Sequence, residues 1–146
     1  MTERNSVFLD TSFFLALAHI KDKNHQAARE LMKEIKIKKA KLFTSHFVLI
    51  EVGDGLSRLR FRELGKRIIE LTLSDPDIVI TPATPELFSK AWQLFSRMDD
   101  KEWGLTDCAS FIIMDENGIE AAGTADHHFQ QAGFRALLLE QNIENS

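Results

Sequence analysis

The chain has 146 residues, 44% hydrophobic and 27% charged, enough to bury the core of one domain without disulfide or metal staples. Its formal net charge of −4 argues against nonspecific polyanion binding as the main role. One cysteine, Cys108, excludes an intramolecular disulfide and a paired-cysteine zinc site. The polar start Met1-Thr2-Glu3-Arg4 leads into an apolar run too short for a signal peptide, and no apolar stretch approaches the ~18 residues of a membrane span. A cytoplasmic protein with no membrane partner is the expectation.

Ser6-Val7-Phe8-Leu9 is a continuous apolar run that ends in Asp10-Thr11-Ser12. Such a run suits a strand buried on both faces, as in a parallel sheet. Phe13 to Ala18 reads as the buried helix that follows, so Asp10 falls at the carboxyl end of the strand, where open parallel sheets place their ligands. The simpler account makes Asp10, Thr11 or Ser12 a helix cap. After the polar break Asp22-Lys23-Asn24, with Asn24 as N-cap, a helix is expected over about 25–39, with Ala27, Ala28, Leu31 and Ile35 inward. Lys33, Lys36, Lys38, Lys39 and Lys41 gather at its end, where cations offset the helix dipole without any need for an RNA patch.

Leu42-Phe43-Thr44 is a short strand, and Ser45 caps a mostly buried helix from His46 that keeps helical spacing through Leu56 and Leu59. Glu51 is a lone carboxylate among Val48, Leu49, Ile50 and Val52, so it must escape to a polar edge, pair with a base or meet a cation. The nearest basic residues in sequence, Arg58, Arg60 and Arg62, are too far along a helix to pair with it locally. Helix continues over 61–73 with Leu64, Ile68, Ile69 and Leu71 inward, and Ile78-Val79-Ile80 is a β-branched strand. Thr84-Pro85 starts the next helix, with Leu87, Ala91, Leu94 and Phe95 on its inner face.

Asp99-Asp100-Lys101-Glu102 reads as a solvated loop. Thr106 is the expected N-cap of an apolar helix with Asp107 in its first turn and a stop at Asn117-Gly118. Residues 120–124 suggest a short strand, with Asp126 just past its end. Residues 135–139 suggest the last strand, followed by a polar, frayed tail over 140–146. Strands alternating with helices give an α/β fold: three layers around a central, mostly parallel sheet, in a single domain over 1–146.

Asp10 and Asp126 follow strands, Asp107 begins a helix and Glu51 lies near the start of one, so all four belong to one edge of a parallel sheet. Four clustered carboxylates need a cation, and an all-oxygen set suits Mg²⁺ or Mn²⁺ rather than zinc. Ser12 and Thr106, beside two of the acids, would orient ligands or bound water. His127 and His128 are adjacent and point in different directions, so they read as surface or loop residues rather than ligands of one metal. His46 lies at the site edge with no nameable local partner, and Cys108 packs rather than reacts.

The ordered set of Val7-Phe8-Leu9-Asp10-Thr11-Ser12, Glu51 after an apolar run, Leu105-Thr106-Asp107-Cys108-Ala109-Ser110-Phe111 and Thr124-Ala125-Asp126-His127-His128-Phe129 resembles the PIN domain family, closest to VapC-like toxins. That resemblance implies Mg²⁺-dependent RNA cleavage, usually by a homodimer, with a small antitoxin protein as partner. It carries the acidic quartet onto Asp10, Glu51, Asp107 and Asp126 as catalytic and metal-binding residues, and the neighbouring hydroxyls onto Ser12 and Thr106. Asp54 and Asp100 remain extras outside the quartet. One or two ions would be held there, and Arg58, Arg60 and Arg62 are candidates for RNA contact. An aspartyl phosphatase would need a second acid where Ser12 stands. A phosphoacceptor domain would need a lysine between Ala121 and Leu139, and a dinucleotide site would need a glycine-rich loop. The remaining alternative is a non-catalytic PIN-like module that binds RNA or protein.

Overall fold

The computed structural model describes residues 5–144. In chain order it contains β1 (Ser6–Leu9), α1 (Thr11–Ala18), α2 (His25–Lys38), β2 (Lys41–Ser45), α3 (His46–Gly55), α4 (Leu59–Ser74) and β3 (Ile78–Thr81). Then follow α5 (Pro85–Arg97), α6 (Leu105–Glu116), β4 (Ala121–Gly123), α7 (His127–Gln131), β5 (Arg135–Ala136) and α8 (Leu137–Glu144). The strands form one sheet in the order β3-β2-β1-β4-β5, and every pairing is parallel.

β1 is the central strand, and all four of its residues are buried. This is why its sequence runs apolar without alternation: helices cover both faces, so neither parity of side chain meets water. Phe8, Leu9, Phe13, Val48, Val52, Phe129 and Leu138 form the centre of the core. Each contributes roughly 1.5–3 kcal/mol by leaving water. The pairing of Leu9 with Gly123 sets the register that matters for the site, because it places Asp10 beside Thr124 one step further on.

Several expectations are corrected. The helix from His46 does not run through Leu59: it ends at Gly55, and α4 starts afresh at Leu59, which is 90% exposed, while Leu56 is buried. A side chain at Gly55 would come within 3.1 Å of Leu15, and one at Gly65 within 3.0 Å of Leu56. Gly55 marks a close approach of α3 to α1, and Gly65 a close approach of α4 to the end of α3. Leu71, expected inward, is exposed.

The last strand is only Arg135–Ala136, and Leu137-Leu138-Leu139 begins α8 instead. Leucine is a strong helix former with no β-branch, and Leu138 reaches the core from a helix, its N–H bonding to the carbonyl of Thr124 at 3.1 Å. The tail is not frayed as far as Glu144: Gln141 donates to Glu34 at 2.7 Å and Asn142 to Asn24 at 2.8 Å, fastening α8 to α2. Residues 145 and 146 lie outside the described part. Asn24 holds the N-cap position of α2 without capping through its side chain, whose oxygen is taken by Asn142. Thr84, by contrast, caps α5 as expected by accepting from Leu87 N–H.

Lys39 adopts φ 52° and closes α2. The lysines around it sit at the amino edge of the sheet, where β2 begins. That is the opposite edge from Asp10, which agrees with dipole compensation rather than service to the acidic site. Among the described residues, no helix is long and apolar enough to cross a membrane.

Candidate metal centre

The carboxyl edge of the sheet collects the acids. Asp10 extends β1, its N–H bonding to the Gly123 carbonyl at 3.1 Å, and is 4% exposed. It occupies the N-cap position of α1 but makes no side-chain cap bond there, so helix capping does not account for it. Its carboxylate is held instead by Thr124, whose Oγ1 donates to Oδ2 at 2.8 Å. Thr124 Oγ1 in turn accepts the N–H of Asp126 at 3.0 Å, and Ser12 Oγ accepts the N–H of Ala125 at 3.0 Å. Ser12 Oγ lies 3.1 Å from Thr124 Oγ1 and 3.4 Å from Asp10 Oδ2. Two hydroxyls thus tie the β1 and β4 turns together around one carboxylate.

Asp107 sits in the first turn of α6. The helix is capped at Gly104, not Thr106: the Asp107 carboxylate accepts the Gly104 N–H at 2.9 Å. Thr106 is a half-buried residue one position before Asp107, and its hydroxyl makes no hydrogen bond to the acids among the described residues. Asp126 caps α7 by accepting the His128 N–H at 2.9 Å. Glu51 lies on an exposed face of α3, where Thr11 Oγ1 donates to it at 2.7 Å. The cost of burying it is avoided by its position at the polar edge. Asp54 and Asp100 stand outside these contacts.

The four acids feel one another. Burial pushes the Asp10 carboxyl up to about 7, the Thr124 bond opposes this, and the charges of Asp107 and Asp126 add to it. Asp107 is raised too, first by burial and then by Asp126 and Glu51, against the Gly104 N–H and His128. Carboxylates held at such cost suit a site in which a cation supplies the missing charge.

The histidine expectation is half right. His127 is exposed, its Nδ1 3.9 Å from Asp126. His128 is not a surface residue: its ring inserts between two of the acids, with Nδ1 3.1 Å from Asp126 Oδ1 and 3.5 Å from Asp107 Oδ2. Asp126, His127 and His128 each bring a ligand-type atom within 4.8 Å of the others, so sequence adjacency does not keep the two rings apart. His46, left without a partner in the sequence, accepts the Ala83 N–H at 3.4 Å. Cys108 is buried, and burial together with the Asp107 charge pushes its thiol up to about 11.

Two supports escape the sequence reading. Trp103, the residue after the loop read as solvated, is buried and donates to Gln131 at 3.0 Å. Its ring packs edge-on against Phe111, which packs edge-on against Phe129, and this stack fixes α6 against α7 and hence Asp107 against Asp126. Thr124 is the other; the only sequence signal was a hydroxyl two residues before Asp126.

A parallel α/β sheet with buried and half-buried acids converging on its carboxyl edge defines an oxygen-rich centre suited to a divalent cation. The sequence matches the PIN domain over residues 7–135, and the chain belongs to that family, whose members are metal-dependent nucleases. It is 31% identical over 128 residues to the 23S rRNA-specific endonuclease VapC20 of Mycobacterium tuberculosis, covering 88% of this chain and 95% of the relative. The crystal structure of VapC20, described as a sarcin-ricin loop cleaving toxin, superposes with a TM-score of 0.79 at 29% identity, over 88% of this chain and 95% of that one. FitAcB from Neisseria gonorrhoeae shares the fold, with a TM-score of 0.63 at 15% identity over 89% and 94% of the two chains. Within the family this chain is VapC-like.

Proposed function

We propose that the chain is a single-domain, divalent-metal-dependent endoribonuclease and the toxin component of a toxin–antitoxin module. The observation that carries this reading is the buried Asp10 carboxylate, clasped by Thr124 and raised toward neutrality beside Asp107 and Asp126. A site kept only for packing or capping would not hold acids together at that cost.

Asp10 and Asp107 are the most direct ligands for Mg²⁺ or Mn²⁺, as one ion or two, and Glu51 and Asp126 complete the set. A bound divalent cation supplies polarisation of the phosphodiester and activation of the attacking water. Ser12 and Thr124 fix the Asp10 carboxylate, and the Gly104 N–H fixes one oxygen of Asp107, so the acids are oriented before the ion arrives. Thr106 borders the centre from the same turn as Asp107. No side chain is required as nucleophile.

Arg58, Arg60 and Arg62 are exposed where α3, which carries Glu51, gives way to α4, and serve as phosphate contacts. Arg60 lies over the Phe61 ring and Arg62 bonds the Ser57 carbonyl, which holds the basic turn in shape. Ribosomal RNA is the first target to try, given the relative's activity. The protein acts in the cytoplasm, as a homodimer, and a small antitoxin protein restrains it. On α5, Phe88, Trp92 and Phe95 are exposed and form a stripe for a second copy.

The deciding experiment is cleavage of cellular RNA and intact ribosomes by purified protein with Mg²⁺, with Mn²⁺ and with EDTA, alongside Asp10→Asn and Asp107→Asn. Metal-dependent cleavage lost in both variants is expected. A folded wild-type protein that neither binds metal nor cuts would leave the non-catalytic binding module.

A further inference from the structure

His128 is the one residue at the site whose chemistry the four-acid description leaves unused. Its Nδ1 is out of reach of solvent and has no hydrogen-bond partner among the described residues, although two carboxylate oxygens stand close by. The approach to Asp126 Oδ1, at 3.1 Å, is too far off line to be a hydrogen bond, and that oxygen already takes the backbone N–H of the same histidine. As a donor, Nδ1 finds no aligned acceptor. As an acceptor, it faces only other acceptors. An orphaned polar atom in this position is costly, so a satisfying group is called for.

A cation satisfies it. Two ligand atoms bound at right angles, each at ~2.1 Å from a metal, lie about 3.0 Å apart. The spacings of Nδ1 to Asp126 Oδ1 and to Asp107 Oδ2, 3.1 and 3.5 Å, are those of neighbouring ligands about to close on one ion rather than of an ion pair made for its own sake. The backbone also holds the arrangement: Asp126 caps the turn that presents His128, while the Trp103–Phe111–Phe129 stack sets the distance to Asp107.

We infer that His128 is a nitrogen ligand of the catalytic cation, closing a site with Asp107 and Asp126 and biasing it toward Mn²⁺ over Mg²⁺. This rests on the metal-dependent reading above and sharpens it. Mg²⁺ is a hard ion that prefers oxygen and retains its waters, whereas imidazole nitrogen is a good donor to the first-row transition ions. His127, exposed and with Nδ1 3.9 Å from Asp126, is the other histidine within reach of the site, so its variant tells which ring supplies the nitrogen.

The test uses Mn²⁺ alone as probe, bound to the full chain and examined by electron spin-echo envelope modulation, which detects a nitrogen-14 nucleus bonded to the ion. Histidine coupling is expected in the wild type and in His127→Gln, and its loss in His128→Gln. Competition titrations should show the Mn²⁺-over-Mg²⁺ preference falling about tenfold or more in His128→Gln. The wild-type spectrum needs no variant to fold and decides the matter first. Bound Mn²⁺ without nitrogen coupling, or coupling that survives in His128→Gln, overturns the ligand assignment and leaves the nuclease reading intact. Failure of the wild type to bind Mn²⁺ at all overturns both.

Discussion

Replacing Asp10 by Asn should make the metal-free protein more stable relative to wild type as the pH rises, even as it removes activity. In the folded apoprotein the carboxyl keeps its proton up to about pH 7, against an ordinary value of 3.8. Between those values the folded chain binds one proton more than the unfolded chain, so wild-type stability falls as pH rises through the window and levels off above about 7. The full separation corresponds to about 4 kcal/mol, of which about 2–3 kcal/mol develops between pH 5 and pH 8. Asparagine cannot ionise and does not incur that loss. It carries a separate cost, because its amide N–H₂ can meet the Thr11 backbone N–H that lies against the carboxylate, but this cost does not vary with pH. The quantity to measure is therefore the difference between variant and wild type, by urea unfolding in EDTA at pH 5 and at pH 8. It should move in favour of the variant by about 2–3 kcal/mol over that range. Saturating Mn²⁺ should move the difference at pH 8 back toward the wild type by stabilising only the wild type. A stability difference that stays flat with pH would refute the assignment of Asp10 as a buried carboxyl held near neutrality.

Thr124→Val removes the donor to Asp10 and the acceptor for Asp126 N–H while keeping the side-chain shape. It should weaken metal binding by about 10–100-fold, read by titration calorimetry, and a normal affinity would show that the hydroxyl clasp does not orient the site. Phe111→Ala removes the middle ring of the stack beneath the acids and should cost about 3–5 kcal/mol in urea unfolding. Phe111→Leu should cost less but still lower metal affinity, if the stack sets the Asp107–Asp126 distance. Cys108 should resist a thiol reagent in the native protein at pH 8 and react fully in urea, since it is buried and its thiol is pushed up to about 11. Rapid native labelling would place it in an open site.

What was readable in the sequence is what local pattern encodes. The apolar run of β1 ending in an acid, the Thr84-Pro85 start of α5 and the Asn117-Gly118 stop of α6 are settled within a few residues, and the structure agrees at each. The alternation of strands and helices was enough to infer a parallel sheet, and a parallel sheet was enough to put the acids on one edge. Where two segments must meet, the pattern was silent or misleading. The spacing from His46 to Leu59 is genuinely helical, but Gly55 packs closely on Leu15 of α1 and Gly65 on Leu56 at the end of α3, contacts that no local pattern reports. Arg135 to Leu139 looks like a strand until Leu138 is needed in the core from a helix.

The same distinction divides the site itself. An acid after a strand advertises itself, because a carboxylate beside an apolar run is costly and so stands out. The groups that orient it do not, because a threonine, a glycine N–H and a tryptophan are unremarkable until the fold sets them against their partners. His128 shows the limit most clearly. By sequence its neighbour His127 is its equal, yet one ring lies at the surface and the other is driven between Asp107 and Asp126. What separates them is the five-residue helix that Asp126 caps. Its first turn swings the second histidine inward while Phe129, the next residue, anchors the turn in the core. The cap, the anchor and the inserted ring are therefore one device. Asp126 shapes the turn that carries His128 as well as offering its own oxygen to the site, so removing its carboxylate should disturb the site through both.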